Sequence, residues 1–373
     1  MAANVLGEAF PSDQFAGVMR PIGEAFTPPP WYYTSQSWFD AEVEHIFARV
    51  WNCIGRVERI PAPGDYFTIE LAGHPVLVVH GADSVIRAFV NSCPDRPARL
   101  RDGAGHADTM PCPHCGRTFA LDGTGADGGR GLTALRCASA HGFLFVNLDS
   151  ESGTLAEYLG DFDTVFAPYD LANMVCMRRT EFECACNWKA SAEVFMEYYH
   201  THMVHPLSLG TVERLANPPE DVRGNFVTMF SDHSGTRALI AGRGHAPFPP
   251  IATLTGRAKA GTRFSLIYPG FALGCTIDAM WFIESYPVSP GRTKYAIGGC
   301  FPRKTTARGD YDALAPGYFE RWETAAREDN DALERQHKGL LSPYALPGRI
   351  QPALESIVPI LGRWVAERVL SNP

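Results

Sequence analysis

Between Trp51 and Leu148, short β-forming runs (DYFTIEL, HPVLVVHG, VIRAFVN, GFLFVNL) alternate with turns rich in Gly, Pro and Asp. That spacing is too tight for crossover helices, so the stretch reads as an antiparallel β domain. Residues 92–130 interrupt it with a loop region dense in Gly, Cys, Arg and Asp. After Asp149 the pattern changes. TLAEYLGDFDTVF reads as helix, MVCMRRTEFECACNWK as a strand entering a helix, and residues 226–302 supply further strands. A long charged amphipathic helix is expected over 313–338 and a final helix over 354–370. Strands followed by long helices give an α+β second part. Upstream, PPPWYYTSQSWF belongs to an arm that packs on something, and Ser37 is expected to start a helix over WFDAEVEHIFARVW.

Charge and composition exclude some partners. Lys plus Arg is 33 against 41 Asp plus Glu, a net charge of −8, which disfavours nucleic acid and anionic membranes as main partners. No run approaches the ~20 apolar residues of a membrane span. The opening MAANVLGEAFPSDQF lacks the basic and apolar regions of a signal peptide, so a cytoplasmic location is expected. In that setting the ten cysteines read as core residues, metal ligands or reactive thiols rather than a disulfide framework.

Two segments carry chemistry. In NWKASAEVFMEYYHTHMVHP, read as helix from Lys189 to Val204, Glu193, Glu197 and His200 fall on one face. His200 and His205 would stand ~140° apart on a regular helix, so both face one metal only if the last turn loosens before Pro206. Two imidazoles plus a carboxylate with open positions is the ligand set of non-haem Fe(II) oxygenases. The carboxylate must come from elsewhere. Glu328, Asp329 and Asp331 are available on the late helix, where pattern alone reads them as a solvated charged face. The second segment pairs Cys93-Pro94-Asp95 with Cys112-Pro113-His114-Cys115 in two turn-rich loops, a metal-knuckle arrangement. Asn187 is placed to cap the helix that follows it. Cys184 and Cys186 are expected to face a core, and the aromatics Phe195, Tyr198, Tyr199 and Trp281 read more readily as core than as pocket.

Together these segments resemble the catalytic α subunit of Rieske-type non-haem iron oxygenases over nearly the whole chain, through RVWNCIGRVERIPAPGDYFTIEL, IRAFVNSC, the two loops, GFLFVNLD, NWK and the late ED…GL helix. The resemblance implies an arm and helix over 1–44, an all-β Rieske-like domain over 45–150 and a helix-grip catalytic domain over 151–373. It implies mononuclear Fe(II) on His200, His205 and Asp329, with O2 as co-substrate. It implies that Glu197 is the carboxylate bridging to a neighbouring subunit's cluster; Glu there is shared with oxygenases of quaternary ammonium compounds. A small amine or acid, hydroxylated or oxidatively dealkylated, is therefore the expected substrate, with aromatic-ring hydroxylation as the alternative. A reductase or ferredoxin donor and a trimer, or a mixed oligomer with another oxygenase subunit, follow from the same resemblance.

The Rieske ligand pattern itself is broken. Cys93 and Cys112 match the two cysteines, but Asp95 and Cys115 replace the two histidines, and Arg117 stands where an aromatic is usual. Exchanging neutral imidazoles for anions lowers a cluster's potential and sets like charges against Glu197. Three occupants fit these loops by sequence: a [2Fe–2S] cluster on altered ligands, a zinc ion, or none. In the last two cases the chain is a half-catalytic or structural subunit fed by a partner.

Overall fold

The computed structural model describes residues 10–209 and 218–371. The first nine residues, where the sequence lacks a leader pattern, lie outside the described set. The chain divides into two compact units: Phe47–Leu155, and a larger one built from the residues up to Ile46 with those from Ala156 onward.

The smaller unit carries β1 (Asn52–Arg56), β2 (Asp65–Leu71), β3 (His74–His80), β4 (Ile86–Val90), β5 (Ala104–His106), a short hairpin of β6 (Met110–Pro111) and β7 (Thr118–Phe119), β8 (Ala134–Ala140) and β9 (Phe143–Asn147). Its main sheet runs β1-β9-β8-β4-β3-β2-β5 with antiparallel neighbours. Ala72 and Gly73 join β2 to β3 with φ of 48° and 84°. Two successive positive φ values give a turn whose twist matches the strands. Leu77, Val79 and Phe89 from the sheet form one core with Cys93, Leu100, Cys112 and Phe119 from the loops. The two cysteines are thus anchored in the packed interior. Asn91 secures the first loop: its Oδ1 accepts from the amides of Leu100 (3.2 Å) and Arg101 (3.1 Å), and its Nδ2 donates to Arg101 O (2.8 Å).

The larger unit is a six-stranded antiparallel sheet of β10 (Met174–Cys184), β11 (Phe226–Asp232), β12 (Gly261–Ile267), β13 (Phe271–Cys275), β14 (Met280–Ser289) and β15 (Arg292–Pro302) in the order β10-β15-β14-β13-β12-β11. Its helices are α1 (Gln36–Glu42), α2 (Trp188–Phe195), α3 (Thr201–Val204), α4 (Tyr311–Leu340) and α5 (Val358–Leu370), beside shorter turns. This is the α+β architecture expected for the second part. The 30-residue α4 reaches the sheet at Gly299, where an added Cβ would meet Trp322 at 2.6 Å.

Three local expectations need correction. Helix α1 is capped by Ser35, not Ser37: the Ser35 hydroxyl accepts from Trp38 N at 3.3 Å. The continuous helix expected over 189–204 is broken, since α2 ends at Phe195 and helix resumes only at Thr201. Between them the Glu197 carboxylate takes the amides of Tyr199 and His200, so a side chain replaces the helical carbonyls as acceptor. TLAEYLGDFDTVF is two short helices, separated where Gly160 adopts a φ of 56°. The Asn187 cap stands as expected, with Oδ1 accepting from Lys189 N at 3.0 Å.

Below α1 lies a buried charge pair. Lys189 Nζ meets Glu42 Oε1 at 2.5 Å, both side chains fully buried. The indoles of Trp38 and Trp188 donate to the same carboxylate at 2.8 and 2.9 Å. Burial drives the Glu42 pKa up and the Lys189 pKa down; their mutual attraction opposes both shifts.

Candidate metal centres

Among the described residues, two groups of ligating side chains converge tightly enough to hold a metal ion: His200, His205 and Asp329, and Cys93, Cys112 and Cys115.

The first group is assembled by the broken helix and by α4. His200 precedes α3 and His205 follows it; Asp329 projects from the middle of α4. His200 Nε2 and His205 Nε2 are 3.1 Å apart. Asp329 Oδ1 lies 3.1 Å from the second ring and 3.6 Å from the first. Metal bonds of about 2.1 Å at right angles set neighbouring ligand atoms about 3.0 Å apart, which matches two of the three separations; the third, at 3.6 Å, corresponds to a wider angle.

The far side of each ring explains why Nε2 faces inward. His200 Nδ1 contacts Glu197 Oε1, and His205 Nδ1 lies 3.1 Å from Glu328 Oε2. A carboxylate accepts only, so each of these contacts takes a proton on Nδ1 and leaves Nε2 as the nitrogen turned toward the group. Asp329 Oδ1 is buried and, among the described residues, has no hydrogen-bond donor. Two imidazole nitrogens and a carboxylate oxygen thus converge, a donor set that suits a divalent cation.

Glu328 is fixed in turn, accepting from Ser208 Oγ at 2.5 Å and from Leu207 N at 2.9 Å. The sequence offered Glu328 as one of three possible ligands; here it holds a ligand's far side instead. Asp331 and His202 are exposed and outside the group.

A cavity of about 130 Å³ opens on these atoms. Phe195, Phe264, Trp281 and Trp322 form its apolar wall, with Trp281 and Trp322 stacked at 5.8 Å. Phe195, Tyr198 and Trp281, read from sequence as core, line this space; Tyr199 is 54% exposed and does not. Arg237 and Arg321 also line it. Burial pulls the Arg321 guanidinium down to about 10, and it stays a cation at neutral pH. Arg321 was not singled out by its sequence context, although Arg321, Ala325 and Asp329 repeat at four-residue intervals along one face of α4.

The second group sits in the smaller unit. Cys93 and Cys112 are buried and Cys115 is exposed; their sulfurs all lie within 4.8 Å of one another. Asp95, expected as a fourth ligand, is not with them. Arg117 takes its carboxylate at 2.7 Å and holds Asp127 at 3.1 Å with its other nitrogen. A guanidinium is a better partner for an exposed carboxylate than a cluster of thiolates that repels it. His114 is also exposed and outside the group. The two imidazoles of a Rieske centre are therefore missing, and the residues present do not fit that cluster.

The architecture is that of a Rieske-type non-haem iron oxygenase, a β domain of Rieske form followed by a catalytic domain of sheet and long helices. Residues 171–371 match the family of ring hydroxylating alpha subunits (catalytic domain), and residues 50–137 match the Rieske [2Fe-2S] domain. The chain belongs to the ring-hydroxylating alpha-subunit family of oxygenases. It is 26% identical to the glycine betaine monooxygenase oxygenase subunit of Pseudomonas aeruginosa (strain UCBPP-PA14), across 96% of this chain and 92% of that one. It is 32% identical to the carnitine monooxygenase oxygenase subunit of Acinetobacter baumannii, across 49% of this chain and 53% of that one. Among solved structures it shares its fold with the quaternary ammonium Rieske monooxygenase CntA in complex with L-carnitine (TM-score 0.78, 24% identity, 97% of this chain and 99% of that one). Among the described residues no helix is long and apolar enough to cross a membrane.

Proposed function

We propose that this chain is the oxygenase component for a small quaternary ammonium substrate that also carries a carboxylate. His200 Nε2, His205 Nε2 and Asp329 Oδ1 would hold one ferrous ion. With two electrons and two protons, that ion supplies dioxygen activation for placing one oxygen atom in a C–H bond beside the nitrogen, the other leaving as water. Glu197 and Glu328 fix the tautomers of the two histidines and keep both rings aimed at the pocket. The Phe264, Trp281 and Trp322 faces take the ammonium through cation–π attraction and exclude water around it. Arg321, reinforced by Arg237, takes the carboxylate. The carrying observation is the buried Arg321 guanidinium in an aromatic pocket that opens on the converging His200, His205 and Asp329 atoms. A flat hydrocarbon, the aromatic-ring alternative, would make no use of that cation, whose anionic neighbours Asp329 and Glu328 already serve the metal site.

In the same reading Glu197 also links His200 to an electron-donating iron–sulfur centre on a neighbouring chain, reached from a reductase or ferredoxin. Because the loops of this chain do not fit that cluster, the neighbour is a second oxygenase subunit in a mixed oligomer; a trimer of this chain alone would have no such centre. A reducing, cytoplasmic setting suits the exposed Cys115.

Anaerobic protein loaded with Fe(II) and titrated with glycine betaine, trimethylamine and naphthalene tests the substrate class. Tryptophan quenching by glycine betaine, weakened at least tenfold in Arg321→Leu and weaker for trimethylamine, is the expected result. Tighter binding of naphthalene, or affinity for betaine indifferent to Arg321, would overturn it.

A further inference from the structure

We propose that Cys93, Cys112 and Cys115 bind a single zinc-type divalent ion in place of the Rieske cluster. The geometry distinguishes one metal centre from two. Zinc–sulfur bonds of about 2.3 Å at tetrahedral angles place neighbouring sulfurs about 3.8 Å apart. Cys93 Sγ and Cys115 Sγ are 3.8 Å apart, and Cys112 Sγ lies within 4.8 Å of both. In a [2Fe–2S] cluster the four protein ligands are shared between two irons, so ligands on opposite irons stand farther apart than those on one. Three thiols on mutually short edges surround one point.

The backbone agrees. Cys112-Pro113-His114-Cys115-Gly116 turns back on itself, with Gly116 N donating to Cys112 O at 3.0 Å and Gly116 at a φ of 74°. The amides of Cys115 and His114 point at Cys112 Sγ. Such N–H···S contacts stabilise a metal-bound thiolate in a tight knuckle, and the positive φ favours glycine. The opposite ligand, Cys93, is held by the amide of Cys93 donating to Ala98 O at 2.9 Å and by the Asn91 brace of the same loop. Because Cys115 is exposed, a water could take the fourth position of a four-ligand shell there. The Arg117 clamp keeps Asp95 from taking that position and leaves a net charge of about −1 on a zinc with three thiolates.

Zinc has no second accessible valence, so this domain keeps the Rieske form and loses electron transfer. The oxygenase reaction then depends on a [2Fe–2S] centre carried by a different polypeptide.

The test is elemental. Full-length protein, expressed with both zinc and iron in the medium and purified without oxygen, is analysed for zinc, iron and acid-labile sulfide, and its dithionite-reduced form is examined by electron paramagnetic resonance. The expected result is one zinc per chain, no sulfide and no [2Fe–2S] signal. An organomercurial added to the wild-type protein should release that zinc to a chromogenic chelator, a readout that needs no variant to fold. Cys112→Ser, in the core, and Cys115→Ser, at the surface, should each lower zinc occupancy at least tenfold. Sulfide accompanied by two additional irons, absence of zinc, or zinc that survives both substitutions and the mercurial would each overturn the proposal.

Discussion

His205 presents Nδ1 to Glu328 Oε2 at 3.1 Å, and that contact decides which of its nitrogens looks into the pocket. Glu328→Ala removes the acceptor, frees the ring to rotate and permits the tautomer whose proton blocks Nε2. Ferrous affinity should fall by about 10- to 100-fold, the usual cost of losing such a partner. Equilibrium competition with a calibrated chelator measures it, and an unchanged affinity would show that the contact orients nothing.

Removing a ligand outright should be more severe. His200→Ala or Asp329→Ala leaves two donors of the three, so iron recovered with the purified protein should drop from near one per chain to near zero. Circular dichroism should stay as in the wild type, because His200 lies in a short irregular segment and Asp329 sits midway along a long helix. Iron retained in either variant argues against the proposed ligand set.

Lys189→Met leaves Glu42 buried without its cation, while the two indole donors remain. Breaking a buried pair from one side costs about 3–5 kcal/mol, and for a unit of this size each kcal/mol lowers Tm by about 2–4 °C. Calorimetry of Glu42→Leu, Lys189→Met and the double variant should give a double loss well short of the sum. Additive losses would mean the pair is not coupled.

Glu193 governs a pH dependence. Burial, chiefly, pushes its carboxyl from 4.5 to about 8, while the hydroxyl of Tyr33 at 3.0 Å from both oxygens pulls the other way. The folded state holds this proton more tightly than the unfolded chain. Its contribution is full below pH 4.5 and is lost progressively as the pH climbs toward 8. By pH 7 the loss is on the order of 3 kcal/mol. Glu193→Gln has no proton to lose, so its Tm should fall less steeply than that of the wild type between pH 5 and 8. Parallel Tm profiles would refute this.

The fold was legible because its signals are local and repeated. Turn-bounded β runs mark the smaller unit, and the period of α4 marks the long helix. The histidine pair with Pro206 pointed to a metal, but Asp329 was indistinguishable from Glu328 and Asp331 until a resemblance singled it out, since all three sit on one charged stretch. What tells them apart is tertiary: Asp329 looks into the cavity, Glu328 reaches the back of His205 and Asp331 meets solvent. The break between Phe195 and Thr201 was hidden for a related reason. It depends on a glutamate folding back on its own backbone, and glutamate is a good helix former by propensity. Asp95 was drawn toward the thiols by its spacing and by its place in the family pattern, whereas Arg117, which takes it away, follows in the second loop.

Trp322 and Asp329 share one helix, seven residues or about 10 Å apart along its axis. The aromatic wall and the carboxylate are thus mounted on a common rigid shaft. Pressure on the aromatic wall is therefore passed along the same rod that carries the carboxylate.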